Sequence, residues 1–182
     1  MKIAIVGSHG VGKTSLLKEF EKDLDFDNYT IYNEAVRQIS SIGFPYNEAT
    51  ADCSQLAMLA LNLLHLRTKD FITDRYILDI LLYSEVLKAK GSNISDLCLD
   101  TIRKYWNKYK DSIDLYIFCP PEWETKDDNF RMTDNELRDK ISTYMLAKLY
   151  LDIPKEKYLI VHGSTKERYQ QIKQHLKSLK GA

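Results

Sequence analysis

The stretch Gly7-Ser8-His9-Gly10-Val11-Gly12-Lys13-Thr14 places a glycine, four residues, then Gly-Lys-Thr. That spacing suits a phosphate cradle. The glycines let backbone N–H groups converge on an anion, and a helix that starts there adds its positive end. Lys13 is expected to reach the β- and γ-phosphates, and the Thr14 hydroxyl to ligate Mg²⁺. The expected nucleotide-binding set is Gly7, Gly10, Val11, Gly12, Lys13, Thr14 and Ser15. The pattern is specific here because an apolar stretch precedes it and an amphipathic one follows. Binding of a nucleoside triphosphate follows from it; the reaction does not.

The elements that must hold this loop read as alternating strands and helices. Strands are predicted at 2–6, 29–33, 69–73, 114–119 and 158–162. Helices are predicted at 14–24, 52–67, 78–90, 94–109, 135–151 and 165–179, with Ser95 or Asn93 as a cap. The helix over 52–67 is apolar nearly all round and is expected to be buried. The alternation predicts an α/β fold, a parallel sheet covered by helices on both faces. Ligands of such sheets bind beyond the carboxyl ends of the strands. The positions to inspect are therefore 7–14, Glu34 to Arg37, Asp74-Arg75, Pro120 onward and Gly163-Ser164.

Those positions narrow the class. No Asp-x-x-Gly turn occurs, and Asn107-Lys108 lacks the aspartate of a guanine reader, so a GTP switch is not expected. A motor or AAA-type machine is expected to be larger, with a long apolar strand ending in paired acids, and nothing of that kind is present. The stretch FITDRYILDILLYS, residues 71 to 84, instead resembles the Asp-Arg motif of thymidylate kinases and deoxynucleoside kinases. NEAVR, residues 33 to 37, resembles the acceptor-site glutamate of deoxynucleoside kinases and the Glu-x-x-Arg element of nicotinamide riboside kinases. WETKDDNFRMTD, residues 123 to 134, resembles the arginine-bearing lid of these small kinases. The resemblance runs over essentially the whole chain in the right order.

It implies a three-layer P-loop fold with a five-stranded parallel sheet, one domain over 1–182 and a small lid at about 122–138. It implies ATP and Mg²⁺ as cofactors, and it assigns roles. Glu34 would accept a hydrogen bond or a proton from an acceptor hydroxyl. Asp74 would help Thr14 hold Mg²⁺, directly or through water. Arg75 and Arg131 would neutralise charge on the moving phosphoryl group, with Arg138 as a second lid candidate. Arg37 would bind an acceptor phosphate or help close the site. Gln55 would read a base edge. Lys13, Glu34, Asp74, Arg75 and Arg131 form the expected catalytic set; Glu34, Arg37, Gln55 and Arg75 form the expected acceptor set.

Structural readings stand beside these. Glu34 could be a helix N-terminal carboxylate, Asp74-Arg75 an ion pair, Arg37 a surface helix residue and Arg131 a solvated loop charge. His9 is given no catalytic role, and His65 is expected to be packed. Met58 is assigned to the core, with Asn62 as a possible pocket residue. Tyr76, Tyr46 and Phe44 could stack on a base or fill the core. The chain also departs from the families. The arginine-proline-glycine run of thymidylate kinases is missing after the second strand, and their further phosphate-gripping arginine is not evident, Arg67 lying near that helix end.

Composition bounds the partners. Lys plus Arg and Asp plus Glu number 26 each, so formal net charge is zero, which disfavours a long nucleic-acid backbone as the partner. Cys53, Cys98 and Cys119 have no paired or metal-ligand spacing and are expected to be reduced, small and buried. The apolar stretch at 3–6 stops at Gly7, so no leader is expected, and no stretch is long enough for a membrane span. The expected place is the cytoplasm. The leading expectation is phosphoryl transfer to a nucleoside or nucleoside monophosphate, a deoxypyrimidine first. Alternatives are nicotinamide riboside, a hydroxymethyl-pyrimidine in DNA, or an ATP-binding regulatory module; a homodimer is an option.

Overall fold

Lys2–Val6 (β1) carries Ile3, Ala4, Ile5 and Val6 in succession, all fully buried. A strand covered on both faces has no polar side to alternate with, and so reads as an apolar run. Phe71–Asp74 (β3) and Leu115–Phe118 (β4) are buried along their whole length for the same reason. Thr30–Tyr32 (β2) and Tyr158–Ile160 (β5) are shorter and partly exposed, and they form the edges. The order is β2-β3-β1-β4-β5 with every neighbouring pair parallel, the five-stranded parallel sheet that was expected. This computed structural model describes residues 1–122 and 135–180. The expected lid, including Arg131, lies mostly outside the described residues.

The helices are Lys13–Glu21 (α1), Ala35–Ser41 (α2), Asp52–His65 (α3), Ile77–Ala89 (α4), Asp96–Tyr109 (α5), Asn135–Asp152 (α6) and Thr165–Lys180 (α7). Alternation along β1 divides the core. Ile3 and Ile5 pack with Leu16, Leu17 and Phe20 of α1 and Tyr169, Ile172 and Leu176 of α7. Ala4 and Val6 face α4, α5 and α6 through residues such as Leu81, Ile102, Trp106, Ile141 and Met145. Trp106 is 1% exposed, and its Nε1 donates to Asp152 Oδ2 at 2.7 Å, so the indole is buried with its polar atom satisfied.

Several expectations change. The helix that is apolar all round and buried all round is α4, with Ile77, Leu78, Ile80, Leu81, Leu82, Val86 and Leu87 inside. In α3 one face packs inward, while Leu56 and Leu64 are 40% and 59% exposed. Cys53, on that outer face, is exposed, unlike buried Cys98 and Cys119. A seven-residue helix, α2, follows β2 where no separate element was predicted. α1 ends at Glu21, three residues short of the predicted end, and a separate turn of 3₁₀ helix follows at Leu24–Phe26. β3 runs to Asp74, one residue further than predicted. Ser95 caps α5, its hydroxyl accepting from the Cys98 N–H at 3.1 Å. Among the described residues no helix is long and apolar enough to cross a membrane.

Candidate active site

The loop after β1 turns under tight constraint. A Cβ on Gly7 would lie 2.6 Å from the Cys119 carbonyl oxygen, and Gly7 has φ +153°. Gly10 and Gly12 have φ of 72° and 85°, and Gly12 is the residue from which α1 starts. These angles favour glycine, which explains the residue type at each turn of the loop. Lys13 is 5% exposed and its Nζ donates to the carbonyls of Gly7 and Ser8, at 2.9 and 2.7 Å. Burial lowers its pKa, Arg75 lowers it further, and Asp74 opposes.

β1 and β3 pair with Ile5 opposite Asp74, which brings the end of β3 beside the loop. Thr14 Oγ1 donates to Asp74 Oδ2 at 2.6 Å. Asp74 is 2% exposed, and its Oδ1 has no partner among the described residues. Burial raises its pKa; Lys13 opposes. The pair fits Mg²⁺, which keeps several waters and needs only one or two protein oxygens. Among the described residues no cluster of three His, Cys, Asp or Glu could hold a metal by protein ligands alone.

Arg75 has φ 77°, an uncommon backbone for a residue with a side chain, held by its N–H donating to Ile5 O at 2.9 Å. This turn aims the guanidinium across the strand ends. Its Nε pairs with Glu34 Oε1, its Nη1 with Asp79 Oδ1 at 3.3 Å, and it lies 5.0 Å from the Tyr83 ring centroid. Glu34 precedes α2, is 7% exposed, and also accepts from Arg37 Nε at 3.3 Å. Burial favours its neutral form, but Arg75, then Lys13, hold it well below the usual carboxylate range. Asp79 accepts from the Tyr76 N–H at 3.1 Å, and burial raises it to about 6 against Arg75.

Glu34, Arg75 and Asp79 open into a cavity between α2, α3 and α4, further lined by His9, Tyr46, Gln55, Asn62 and Tyr83. Gln55 lines it, with its amide held from both ends: Nε2 donates to Thr50 Oγ1 at 2.8 Å and Oε1 accepts from Ser84 Oγ at 2.9 Å. Arg37 does not line it and is 42% exposed in its side chain; Arg67 is exposed and also outside the lining. Arg138 is buried on α6, its Nε donating to Asp139 at 3.0 Å. Tyr76 is fully buried against Tyr116 in the core, so it cannot stack on a ligand; Phe44 is absent from the lining. His65 is packed as expected, stacked on Tyr32 at 3.6 Å, and burial lowers its pKa to about 4. His9 stands in the cavity wall, its Nδ1 3.0 Å from the Tyr83 hydroxyl.

Sequence reasoning did not single out Asp79, Tyr83 or Arg168. Asp79 sits three residues after Tyr76, a helix-start spacing that could have drawn notice. Arg168 had no local signal. It lies one turn into α7, is 2% exposed, and reaches 157 residues back, Nη1 donating to Val11 O at 2.6 Å. Its Nη2 donates to Glu122 Oε2 at 2.8 Å, and Glu122 also accepts from Gly163 N at 2.9 Å and meets His162 Nδ1 at 2.8 Å. The loops after β4 and β5 are thereby tied to the phosphate cradle.

A family model described as an AAA domain matches residues 2–168. The chain belongs to this AAA-domain family. Solved structures similar to this AAA-domain chain include a deoxyadenosine kinase and NadR protein. Deoxyadenosine kinase from M. mycoides, with products dCMP and a flexible dCDP bound, has a TM-score of 0.71 at 19% identity, over 98% of this chain and 100% of that one. The same enzyme with bound dCTP has a TM-score of 0.69 at 22% identity, over 98% and 100%. NadR protein in complex with NR has a TM-score of 0.77 at 15% identity, over 99% of this chain and 51% of that one, so the chain spans about half of NadR. A search of curated proteins finds no match. The likeness shows the fold, that of small P-loop kinases with a nucleotide-binding loop.

Proposed function

We propose that the protein transfers the γ-phosphoryl group of ATP, with Mg²⁺, to a hydroxyl of a neutral nucleoside-like acceptor. One observation carries this reading. Glu34 borders the acceptor cavity and is paired with Arg75, beside the Thr14–Asp74 pair at the phosphate cradle. A hydroxyl donor, a transferring phosphoryl group and a metal would meet there. Bound Mg²⁺ would supply charge neutralisation at the phosphates, held by Thr14 and Asp74.

The side chains divide the remaining work. Phosphoryl transfer is mostly positioning and charge stabilisation. Lys13 would exchange its two carbonyl bonds for phosphate oxygens. Arg75, aimed across the strand ends, would stabilise charge on the moving group. Glu34, held low by Arg75 and Lys13, is a weak base. Its task is to orient the acceptor hydroxyl and take the proton late, once the oxygen has become acidic through bond formation.

Charge favours a nucleoside over a monophosphate. Among the described residues Arg75 is the one Lys or Arg lining the cavity, and both Glu34 and Asp79 already pair with it. An added phosphate would face two carboxylates. ADP formation against nucleosides, their monophosphates and nicotinamide riboside tests the reading. Stimulation by a nucleoside is the expected result. A flat panel with intact ATP binding would move the weight to a regulatory module or a DNA acceptor.

A further inference from the structure

Asn62 presents an unexplained atom. It is 2% exposed and lines the acceptor cavity. Its Nδ2 donates to the Met58 carbonyl one turn earlier, at 2.9 Å, which sets the amide's orientation, since only nitrogen can donate there. Oδ1 therefore points the other way, buried and without a partner among the described residues. A buried carbonyl acceptor left unpaired is costly, and native structures keep few of them without a reason.

Position along α3 suggests the reason. His65, one turn beyond Asn62, stacks on Tyr32, and Tyr32 lies two residues before Glu34. Gln55 lies two turns the other way, roughly 10 Å along the helix axis, among Thr50 and Ser84. Asn62 thus stands at the Glu34 end of the cavity and Gln55 at the far end. An acceptor whose reacting hydroxyl meets Glu34 would put its sugar near Asn62 and its base near Gln55 and Tyr46. We propose that Asn62 is a specificity-determining residue whose Oδ1 accepts a hydrogen bond from a second sugar hydroxyl of the acceptor. This rests on the acceptor reading above and deepens it: the site selects a polyhydroxyl sugar, not only a base.

The test is a cycle of analogues against variants, read as kcat/KM. Wild type is assayed with a ribonucleoside, its 2′-deoxy and 3′-deoxy forms, and base pairs of analogues with and without the exocyclic amine. Removing one sugar hydroxyl is expected to cost about 10- to 100-fold in wild type. The same removal should cost almost nothing in Asn62→Leu, and should keep its cost in Asn62→Asp, which retains an acceptor oxygen. KM for ATP should stay within about twofold in both variants, because the hydrogen bond Asn62 makes runs to Met58 within α3 and not to the phosphate loop. A merely structural role would weaken all acceptors alike and leave the penalty in place. A penalty that persists undiminished in Asn62→Leu overturns the proposal, as does a wild type indifferent to both sugar hydroxyls. Sensitivity confined to the exocyclic amine overturns the sugar assignment. Failure of wild type to phosphorylate any acceptor brings down the kinase reading itself, and this proposal with it.

Discussion

At the scale of single residues, Glu34 carries the sharpest prediction. Glu34→Gln keeps the shape but removes the charge that pairs with Arg75 and lines the cavity. Turnover should fall by at least about 100-fold while ATP binding stays nearly intact; near-normal turnover would show that the acceptor site is misassigned. Two buried groups should also pull stability in opposite directions on acidification. Burial lowers His65 from 6.5 to about 4, so the unfolded chain takes up its proton first and stability falls between those values as pH drops. Burial raises Asp79 from 3.8 to about 6, so the folded chain takes up its proton first and stability rises as pH drops across that window. Each contribution is at most about 3 kcal/mol, and in wild type they nearly cancel. His65→Phe should be more stable at about pH 5 than at about pH 7, and Asp79→Asn less stable. Urea midpoints at the two pH values check this, and parallel profiles for both variants would refute it.

At the scale of elements, the phosphate cradle depends on what packs behind it. Gly7→Ala would drive a methyl group into the Cys119 carbonyl where β4 leaves the sheet. It should cost about 1–3 kcal/mol and abolish ATP binding. Arg168→Met removes the α7 side chain that holds the Val11 carbonyl and Glu122. The expected loss is about 1–3 kcal/mol, because the Val11 carbonyl loses the guanidinium that donates to it. Isothermal titration should show weaker ATP binding with acceptor affinity unchanged. Equal weakening of both would mean that α7 supports the fold at large and not the cradle. Element order was readable in advance because strand runs and helix periodicity are local properties. The exposed face of α3 was not, since an apolar helix says how much it can bury and not what lies beside it. α2 was given no bounds because seven residues carry too little periodicity, although Glu34 was weighed as a helix N-terminal carboxylate.

At the scale of the whole molecule, equal numbers of acidic and basic residues supply no net positive charge to hold a polyanion. Retention on DNA should be absent even at low salt, and salt-sensitive retention would favour a DNA acceptor. Ligands that bind only the folded chain should stabilise it by mass action. ATP with Mg²⁺ at about 100 times its dissociation constant should add about 2.7 kcal/mol, seen as a rise in Tm. Lys13→Ala should lose that rise. A wild type with no shift would remove the nucleotide from the account.

What the sequence determined by itself is the chemistry that needs no distant partner. Gly7 to Thr14 could be read because a phosphate cradle is one continuous turn with a lysine and a hydroxyl at set offsets. Asp74, Arg75 and Glu34 could be placed at strand ends, which marks them for inspection without saying what they touch. The tertiary structure decided the contacts. Sheet order sets β3 beside β1 and β2 beside β3, and this joins Thr14 to Asp74 and Glu34 to Arg75 across 60 and 41 residues. It turned Tyr76 into the core, put His9 in the cavity wall, and brought Arg168 under the loop. Such pairings arise from packing distant segments against one another, and local periodicity carries no record of them.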